Sequence, residues 1–239
     1  MNPTKRLARI AGGLYLLVGI FGGFAEGFVE PKMYVAGNAA ATAGNVVANA
    51  GLLRMGVLSD LLDGTFFVFT ALALYMLLKD VRKSAARAML VFVVIAAVIT
   101  CMSAVFEFEG LRVATGGVSA ATLGIGGSNA LVLLLLDAQH YGLLAAQIFF
   151  GLWLAPLGYL AYKSGWFPKA LGIVLIVASV SYLVGVLAAF LIPDLDKQIH
   201  AFTTIVPAIA EPWMVVYLLV VGVRAAKPAK RILAAQLAS

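Results

Sequence analysis

Six long runs of apolar residues alternate with short polar segments along the chain. The runs cover approximately residues 8–28, 56–78, 87–107, 140–162, 169–193 and 204–223. Each is close to the ~20 apolar residues that an α-helix needs to cross the hydrocarbon core of a bilayer. Because the links between runs are short near residues 79–87 and 163–169, neighbouring helices should pair as antiparallel hairpins. The pattern predicts an all-α membrane protein, a bundle of six transmembrane helices in which residues 1–239 form one domain.

Two connections on one side of this bundle are much longer, at residues 29–55 and 108–139. The first carries an alanine- and asparagine-rich run that favours a helix but is too polar to span. The second is rich in glycine, and Ser128 or Asn129 is suited to cap a short helix that ends near Asp137. We therefore expect short helical or re-entrant segments in both outer loops. They would either cover a cavity or pack between lipid and water.

The charged residues are sorted between the two sides of the predicted bundle. Most of the 17 basic residues lie in the short links and the tails, at Lys5, Arg6, Arg9, Lys79, Arg82, Lys83, Arg87, Lys163, Lys169, Arg224, Lys227, Lys230 and Arg231. Of the 11 acidic residues, all except Asp80 lie on the other side or in the half of a span nearest it. The positive-inside rule then predicts that both termini are cytoplasmic. Residues 224–239 would form a basic cytoplasmic tail that contacts anionic lipid headgroups.

Composition narrows the class of protein. With 63% hydrophobic residues, 12% charged residues and a mean hydropathy of +1.02, the chain is a multi-pass membrane protein and not a soluble domain. The net charge of +6 does not indicate nucleic-acid binding, because the basic residues are confined to links and tails. The only cysteine is Cys101, which excludes an internal disulfide and a cysteine metal cluster. The first span follows three basic residues, as in a signal peptide, but we expect it to be retained.

Polar side chains recur in the outer halves of five of the six predicted spans. An ionisable group at this depth is costly and usually functional. The candidates for a ligand-binding pocket are Glu26, Asp60, Asp63, Glu107, His140, Gln147 and Glu211. Asp63 lies roughly 10 Å inside its span, since each residue adds 1.5 Å. Glu211 lies between two prolines that should disturb the helix. We predict that these faces converge on one outward-facing pocket.

Simpler interpretations apply to part of this set. Glu26, Glu107 and His140 lie within one turn of a span end, and we expect them to reach water. Inward polar groups also serve as hydrogen bonds between helices, worth only about 0.6 kcal/mol each. Glycines at four-residue spacing in the first span, Gly19, Gly23 and Gly27, would let another helix approach closely on the face that carries Glu26.

Several functions are compatible with such a pocket. Asp60, Asp63, His140 and Glu211 could hold a divalent cation, although their spacing matches no known metal motif. Crowded carboxyls could carry protons, and an acidic cleft with aromatic walls could bind a cationic amphiphile. We expect a binder or transporter of a cation, proton or small amphiphile. The alternatives are a structural or accessory subunit without a ligand and, least favoured, an intramembrane enzyme that modifies a lipid or isoprenoid through carboxylates or a metal. The sequence names no cofactor, and no phosphate loop, nucleophile elbow or His-Glu-x-x-His motif indicates a reaction.

A family resemblance runs along most of the chain. The residues that carry it are 9–16 (RIAGGLYL), 22–26 (GGFAE), 39–43 (AAATA), 54–61 (RMGVLSDL), 142–151 (GLLAAQIFFG) and 159–165 (YLAYKSG). In these segments the chain resembles the bacterial membrane family known as domain of unknown function 4386. The resemblance implies a bacterial inner-membrane protein of about six or more spans with no assigned activity. It places Glu26, Arg54 and Asp60 at positions that match the family, and Asp63 less clearly.

Overall fold

The computed structural model describes residues 3–116 and 118–224, and within these ranges it is helical with no strand. The helices are α1 (Pro3–Phe24), α2 (Glu30–Met33), α3 (Ala39–Ala48), α4 (Ala50–Leu78), α5 (Lys83–Ala114), α6 (Val118–Ser164), α7 (Lys169–Leu191) and α8 (Pro193–Val220). A π-helical turn, Ala25–Val29, joins α1 to α2. The predicted tail lies outside the described residues apart from Arg224.

Six segments of the described chain are long and apolar enough to cross a membrane. They are Pro3–Met33, Ala50–Leu78, Lys83–Ala114, Thr122–Ser164, Lys169–Leu191 and Thr203–Val220. The prediction of a six-helix, multi-pass membrane protein is therefore confirmed. An even number of crossings places Pro3 and Val220 on one side, with the links at residues 79–82 and 165–168. We call this the terminal side, and the opposite side, which carries α3, the loop side.

The six spanning helices form a closed ring in chain order. Contacts run from α1 to α4, α5, α6, α7 and α8 in turn, and α8 packs back against α1. The terminal half of the ring is filled by apolar side chains from all six helices, among them Leu74, Met89, Leu157, Leu171 and Leu218. These side chains are almost completely buried. The terminal half is thus a solid hydrophobic core, and any cavity must lie in the loop half.

Some glycines bring helices into backbone contact. A Cβ on Gly158 of α6 would lie 2.6 Å from the carbonyl oxygen of Gly172 of α7, and one on Gly12 of α1 would lie 2.8 Å from Cβ of Leu218 of α8. The predicted glycine stripe behaves differently. A Cβ on Gly19, Gly23 or Gly27 would meet nothing within 4 Å, so the prediction of a close helix contact there is wrong. The four-residue spacing shows that the three glycines share one face of α1, but it does not show whether that face contacts another helix.

The two outer connections are helical, as predicted, but their boundaries differ from those expected. Asn38 caps α3 through a hydrogen bond that its Oδ1 accepts from the backbone N of Ala41 (3.0 Å). In the second connection, α5 extends to Ala114, and the helix predicted near residues 128–137 continues directly into the fourth span as part of α6. A kink at Gly124, with φ of 68°, interrupts the start of α6, a backbone conformation that glycine adopts readily.

A second apolar cluster covers the loop-side ends of α4, α5 and α6. It contains Val29, Met33, Val46, Leu53, Leu111, Val132 and Leu136, which are buried. The short helix α3 packs on α5 and α6 and contributes Val46 to this cluster. The cluster closes one part of the loop side. The remaining part, between α1, α6, α7 and α8, stays open.

Candidate functional site

A cavity of about 1090 Å³ occupies the loop half of the ring. Its walls come from α1, α6, α7 and α8, and α4 contributes Asp63 and Phe67 at the back. Ligand pockets for drug-sized molecules are typically about 300–1,000 Å³, so this cavity is slightly larger than that range. It exists because the apolar side chains that fill the terminal half give way, one or two helical turns further on, to glycine and small polar residues.

Asp63 is the buried carboxyl group at the back of the cavity. Only 4% of its surface is exposed, and its Oδ1 has no hydrogen-bond partner among the described residues. Gly22 of α1 faces it: a Cβ at that position would lie 3.2 Å from Asp63 Oδ1. A larger side chain there would press on the carboxyl. A buried polar atom without a partner is expensive. Oδ1 of Asp60 and Oε2 of Glu107 also lack a partner among the described residues, but of these three carboxyl groups only that of Asp63 lines the cavity.

Glu211 of α8 is the second deep carboxyl group, and two phenols hold it. The hydroxyl of Tyr15 in α1 donates to Oε2 (2.5 Å), and that of Tyr182 in α7 donates to Oε1 (3.1 Å). Each carboxyl oxygen thus has one donor, from a different helix. Pro207 and Pro212 flank Glu211 within α8. The arrangement fixes the carboxyl at the junction of α1, α7 and α8.

Aromatic rings form the floor of the cavity, where it meets the hydrophobic core. The Trp153 ring packs edge-on against those of Tyr15 and Phe67, at centroid distances of 5.3 and 5.0 Å. Phe150 packs edge-on against Phe67 and against Tyr182. These rings thus form one packed cluster beside the cavity, and the hydroxyl groups of Tyr15 and Tyr182 connect it to the carboxyl group of Glu211. Aromatic rings attract cations through their quadrupole.

The loop-side mouth of the cavity is tied together by two polar contacts. His140 Nδ1 lies 2.6 Å from Oε1 of Glu30, and the hydroxyl of Tyr34 donates to Oδ1 of Asp137 (2.5 Å). The rings of Tyr34 and His140 also stack, with centroids 5.0 Å apart. Partial burial, together with the bond to Asp137, raises the pKa of the Tyr34 hydroxyl above its usual value. These contacts join the segment after α1 to α6 and so define one rim of the mouth.

The structure separates the seven predicted site residues into two groups. Glu26, Asp63, His140, Gln147 and Glu211 line the cavity, whereas Asp60 and Glu107 do not. Asp60 and Glu107 lie behind it, close enough to share a hydrogen bond, and both are buried. The expectation that Glu107 reaches water is wrong, because α5 continues beyond it and the second apolar cluster covers that end. Five of the seven predicted residues therefore line one cavity.

A divalent metal site finds no support in this arrangement. Among the residues that the structure describes, no three histidine, cysteine, aspartate or glutamate side chains come close enough to hold a metal ion. In particular, Asp60 lies outside the cavity and His140 is engaged with Glu30. A set of Asp60, Asp63, His140 and Glu211 is thus not assembled.

Sequence reasoning missed Tyr15, Tyr182, Glu30 and Tyr34. The two deep tyrosines lie in strongly apolar spans, where an aromatic residue is easily taken for a core or lipid contact. Their signal was the hydroxyl group, which needs a partner when buried at this depth. Glu30 was assigned to a loop, whereas the first span continues helically to Met33 and so includes it. Tyr34 is the first residue outside this helix.

Comparison with known proteins identifies the family. The sequence model of a protein family, described as a domain of unknown function (DUF4386), matches residues 10–222 of the chain. This range includes every residue that lines the cavity. The chain belongs to the DUF4386 family. It is also similar to an uncharacterized protein of Archaeoglobus fulgidus, with 34% identity over 124 residues, which are 52% of this chain and 60% of that protein. The chain thus spans less than two thirds of the length of that relative. No solved structure matches.

Membership of DUF4386 confirms the family resemblance that the sequence motifs predicted. The family carries no assigned activity. Its members have no function to transfer to the residues of the cavity, and the chemistry of the site has to be argued from its geometry.

Proposed function

We propose that this DUF4386 protein binds a small organic cation in the cavity of the loop half, as a binding protein or as the binding step of a transporter. The observation that carries the proposal is Asp63: a carboxyl group that is 4% exposed, lacks a partner for Oδ1 among the described residues, and lines a cavity of about 1090 Å³. A ligand with a positive charge would supply the missing partner.

The charge of the cavity wall favours a cation. Three acidic side chains, Glu26, Asp63 and Glu211, face the cavity, together with Glu30 at the mouth. Among the described lining residues none is lysine or arginine, and His140 is already paired with Glu30. Removing a carboxylate from water without a counter-charge is costly, so several of them around one space favour a positively charged occupant.

The aromatic floor favours an organic cation over a metal ion. Tyr15, Phe67, Phe150 and Trp153 line the same cavity as the carboxyl groups. Quaternary and protonated amines bind in such surroundings through cation–π attraction, about 0.5–2 kcal/mol for each ring. A hard metal ion would instead need a shell of oxygen ligands, and the described residues do not provide one.

Access to the site is proposed from the loop side and from the bilayer only. The apolar core of the terminal half leaves no polar passage from the cavity towards the links at residues 79–82 and 165–168. Basic residues concentrate on the terminal side, and by the positive-inside rule we propose that this side is cytoplasmic. The cavity would then open outward, and in a bacterial cell the protein would lie in the inner membrane.

The experiment is a thermal-unfolding titration of the full chain in nonionic detergent with benzyltrimethylammonium, whose charge does not depend on pH. A saturable rise in the unfolding temperature is expected, as for any ligand that binds only the folded state. Asp63→Asn and Glu211→Gln should abolish it. Asp60→Asn is the matched control, because Asp60 lies on the same helix, is equally buried and does not line the cavity.

Two results would contradict the proposal. The first is that benzyltrimethylammonium causes no saturable rise in the unfolding temperature of the wild-type protein beyond that caused by sodium chloride at equal ionic strength. The other is an Asp63→Asn protein that responds as strongly as the wild type. Either would favour the alternative of an accessory subunit whose inward polar groups only hold helices together.

A further inference from the structure

The helices α1 and α8 form a V-shaped cleft that is closed on the terminal side. There, Leu218 of α8 occupies the space beside Gly12 of α1, so that a Cβ on Gly12 would lie 2.8 Å from Cβ of Leu218. The guanidinium of Arg9 also donates to the carbonyl oxygen of Val220 (3.5 Å). Tyr15 and Glu211 make a further polar contact between the two helices.

Towards the loop side, each arm of the cleft packs on a different neighbour. On the first arm, Phe21 of α1 stacks on Phe66 of α4 with centroids 5.7 Å apart, and Val29, at the end of the π-helical turn that follows α1, fills the space beside Gly56 of α4. On the other arm, the hydroxyl of Ser181 in α7 donates to the carbonyl oxygen of Thr203 in α8 (3.0 Å). The cavity lies between the two arms and is lined by both.

The cleft connects the cavity with the outer surface of the bundle. Ile20 on α1 and Ala208 on α8 both line the cavity, yet both are exposed, Ile20 by 52%. Gly19, next to Ile20, and Gly23, one turn nearer the mouth, are also exposed cavity-lining residues, and a Cβ at either position would meet nothing within 4 Å. The glycine stripe of the first span thus forms one edge of an opening and not a helix–helix contact.

The depth of the opening places it in the hydrocarbon region of a membrane. Ile20 lies near the middle of the 31-residue span Pro3–Met33, and Ala208 lies within the last span, Thr203–Val220. At this depth the exposed surface of a membrane protein faces acyl chains and not water. A molecule in the cavity can therefore extend a hydrocarbon chain through the cleft without exposing it to water.

We propose that the ligand is a single-chain cationic amphiphile, which keeps its ammonium head beside Asp63 and Glu211 while its hydrocarbon chain passes between α1 and α8 into the bilayer. This inference rests on the proposed function and adds the substrate class and the route of entry. Charge and polarity support it: the acidic groups line the buried part of the space, and the exposed side chains of Ile20 and Ala208 line its outer part. Asp63, buried and without a partner for Oδ1 among the described residues, faces the inner end.

The test compares two probes that share one head and differ in the chain, benzyltrimethylammonium and benzyldimethyldecylammonium. Affinities of the full chain in nonionic detergent are measured for the wild type and for a Gly19→Leu/Gly23→Leu variant, whose new side chains have free space and narrow the cleft. Gly13→Leu is the matched control, since Gly13 is also on α1 and also faces open space but does not line the cavity.

We expect the double leucine variant to weaken binding of the decyl probe by about ten-fold or more and to leave the short probe within about two-fold. Gly13→Leu should change neither affinity, and Asp63→Asn should weaken both. If both probes bind through Asp63 but the double variant affects them equally, the cleft is not the path of the chain, and this inference fails while the proposed function stands. If neither probe binds through Asp63, the proposed function itself fails.

A second copy of this chain is the other possible occupant of the cleft. It would be revealed by a change in the mass of the detergent-solubilised protein, measured by light scattering, when Gly19 and Gly23 are replaced. A wild-type dimer that the double leucine variant converts to a monomer would overturn the inference. A mass that is the same for both proteins supports the lipid-facing opening.

Discussion

The contact between Tyr15 and Glu211 should be the strongest single polar link between α1 and α8. Its energy is measured by a double-mutant cycle built from Tyr15→Phe and Glu211→Ala. Interhelical polar contacts in membrane bundles average about 0.6 kcal/mol and reach about 1.7 kcal/mol. The Tyr15 bond is short, 2.5 Å, and has a carboxyl acceptor, so its coupling energy should lie near the upper value, about 1.5 kcal/mol. The Tyr182 bond, at 3.1 Å, should give about 0.6 kcal/mol.

The assay is reversible unfolding in mixed micelles with a rising fraction of sodium dodecyl sulfate, followed by circular dichroism. For a chain of this size, ~1.5 kcal/mol corresponds to a shift of roughly 3–6 °C in a thermal scan, large enough to measure. Tyr141→Phe provides the control, because Tyr141 lines the same cavity but is largely exposed, and its cycle with Glu211→Ala should be additive. A coupling energy below about 0.3 kcal/mol for Tyr15 would refute the reasoning, since the phenol would then contribute only packing.

Three further predictions concern packing, pH and orientation. Gly158→Ala should lower the free energy of unfolding by about 1–3 kcal/mol, because the new Cβ would lie 2.6 Å from the carbonyl oxygen of Gly172. Gly13→Ala is the control: its Cβ has free space, so the change should be neutral or stabilising by up to about 1 kcal/mol. Equal effects of the two substitutions in a denaturant titration would contradict this prediction. Tyr34→Phe should destabilise the protein by about 1 kcal/mol through loss of the bond to Asp137, and equally so at pH 6 and pH 8. The phenol of Tyr34 donates only while it is protonated, and its pKa is raised above the usual value of about 10. The stabilisation by this hydrogen bond is therefore complete below about pH 10 and is lost only as the pH rises through the raised pKa. A loss between pH 6 and pH 8 would assign the effect to another group. A reporter domain fused after Ser239 should be active in its cytoplasmic form and inactive in its exported form, and the opposite result would reverse the proposed orientation.

The six spans could be predicted from the sequence because length and hydropathy report directly on the cost of burying backbone and side chains in lipid. The depth of Asp63 and Glu211 followed from the same counting. The order of helices around the ring could not be predicted, since any of several neighbours would satisfy each apolar face. The structure resolves this as a ring in chain order, with α1 closing against α8.

Asp60 and Asp63 illustrate what residue counting cannot provide. Three residues on an α-helix are about 300° apart, so the two carboxyls differ by only about 60° in direction. That small angle decides that Asp63 faces the cavity and Gly22, while Asp60 faces Glu107 of α5. From the sequence, both are candidates for one pocket. Only the placement of α1 and α5 on either side of α4 separates a candidate ligand-binding group from a buried pair.

The contrast between the two halves of the bundle bears on whether the bound molecule crosses the membrane. On the terminal side, the contacts of Gly158 with Gly172 and of Gly12 with Leu218 leave no space even for a methyl group. A path through that half would require α6 to leave α7, or α1 to leave α8, and would expose side chains that are now completely buried. Each such Leu or Met costs about 1.5–3 kcal/mol if it faces water. The cleft between α1 and α8 needs no such movement, because its edges already face the bilayer. Exchange of a ligand with the loop side and the surrounding lipid is therefore the process that this conformation favours, and binding, rather than passage, is the activity to test first.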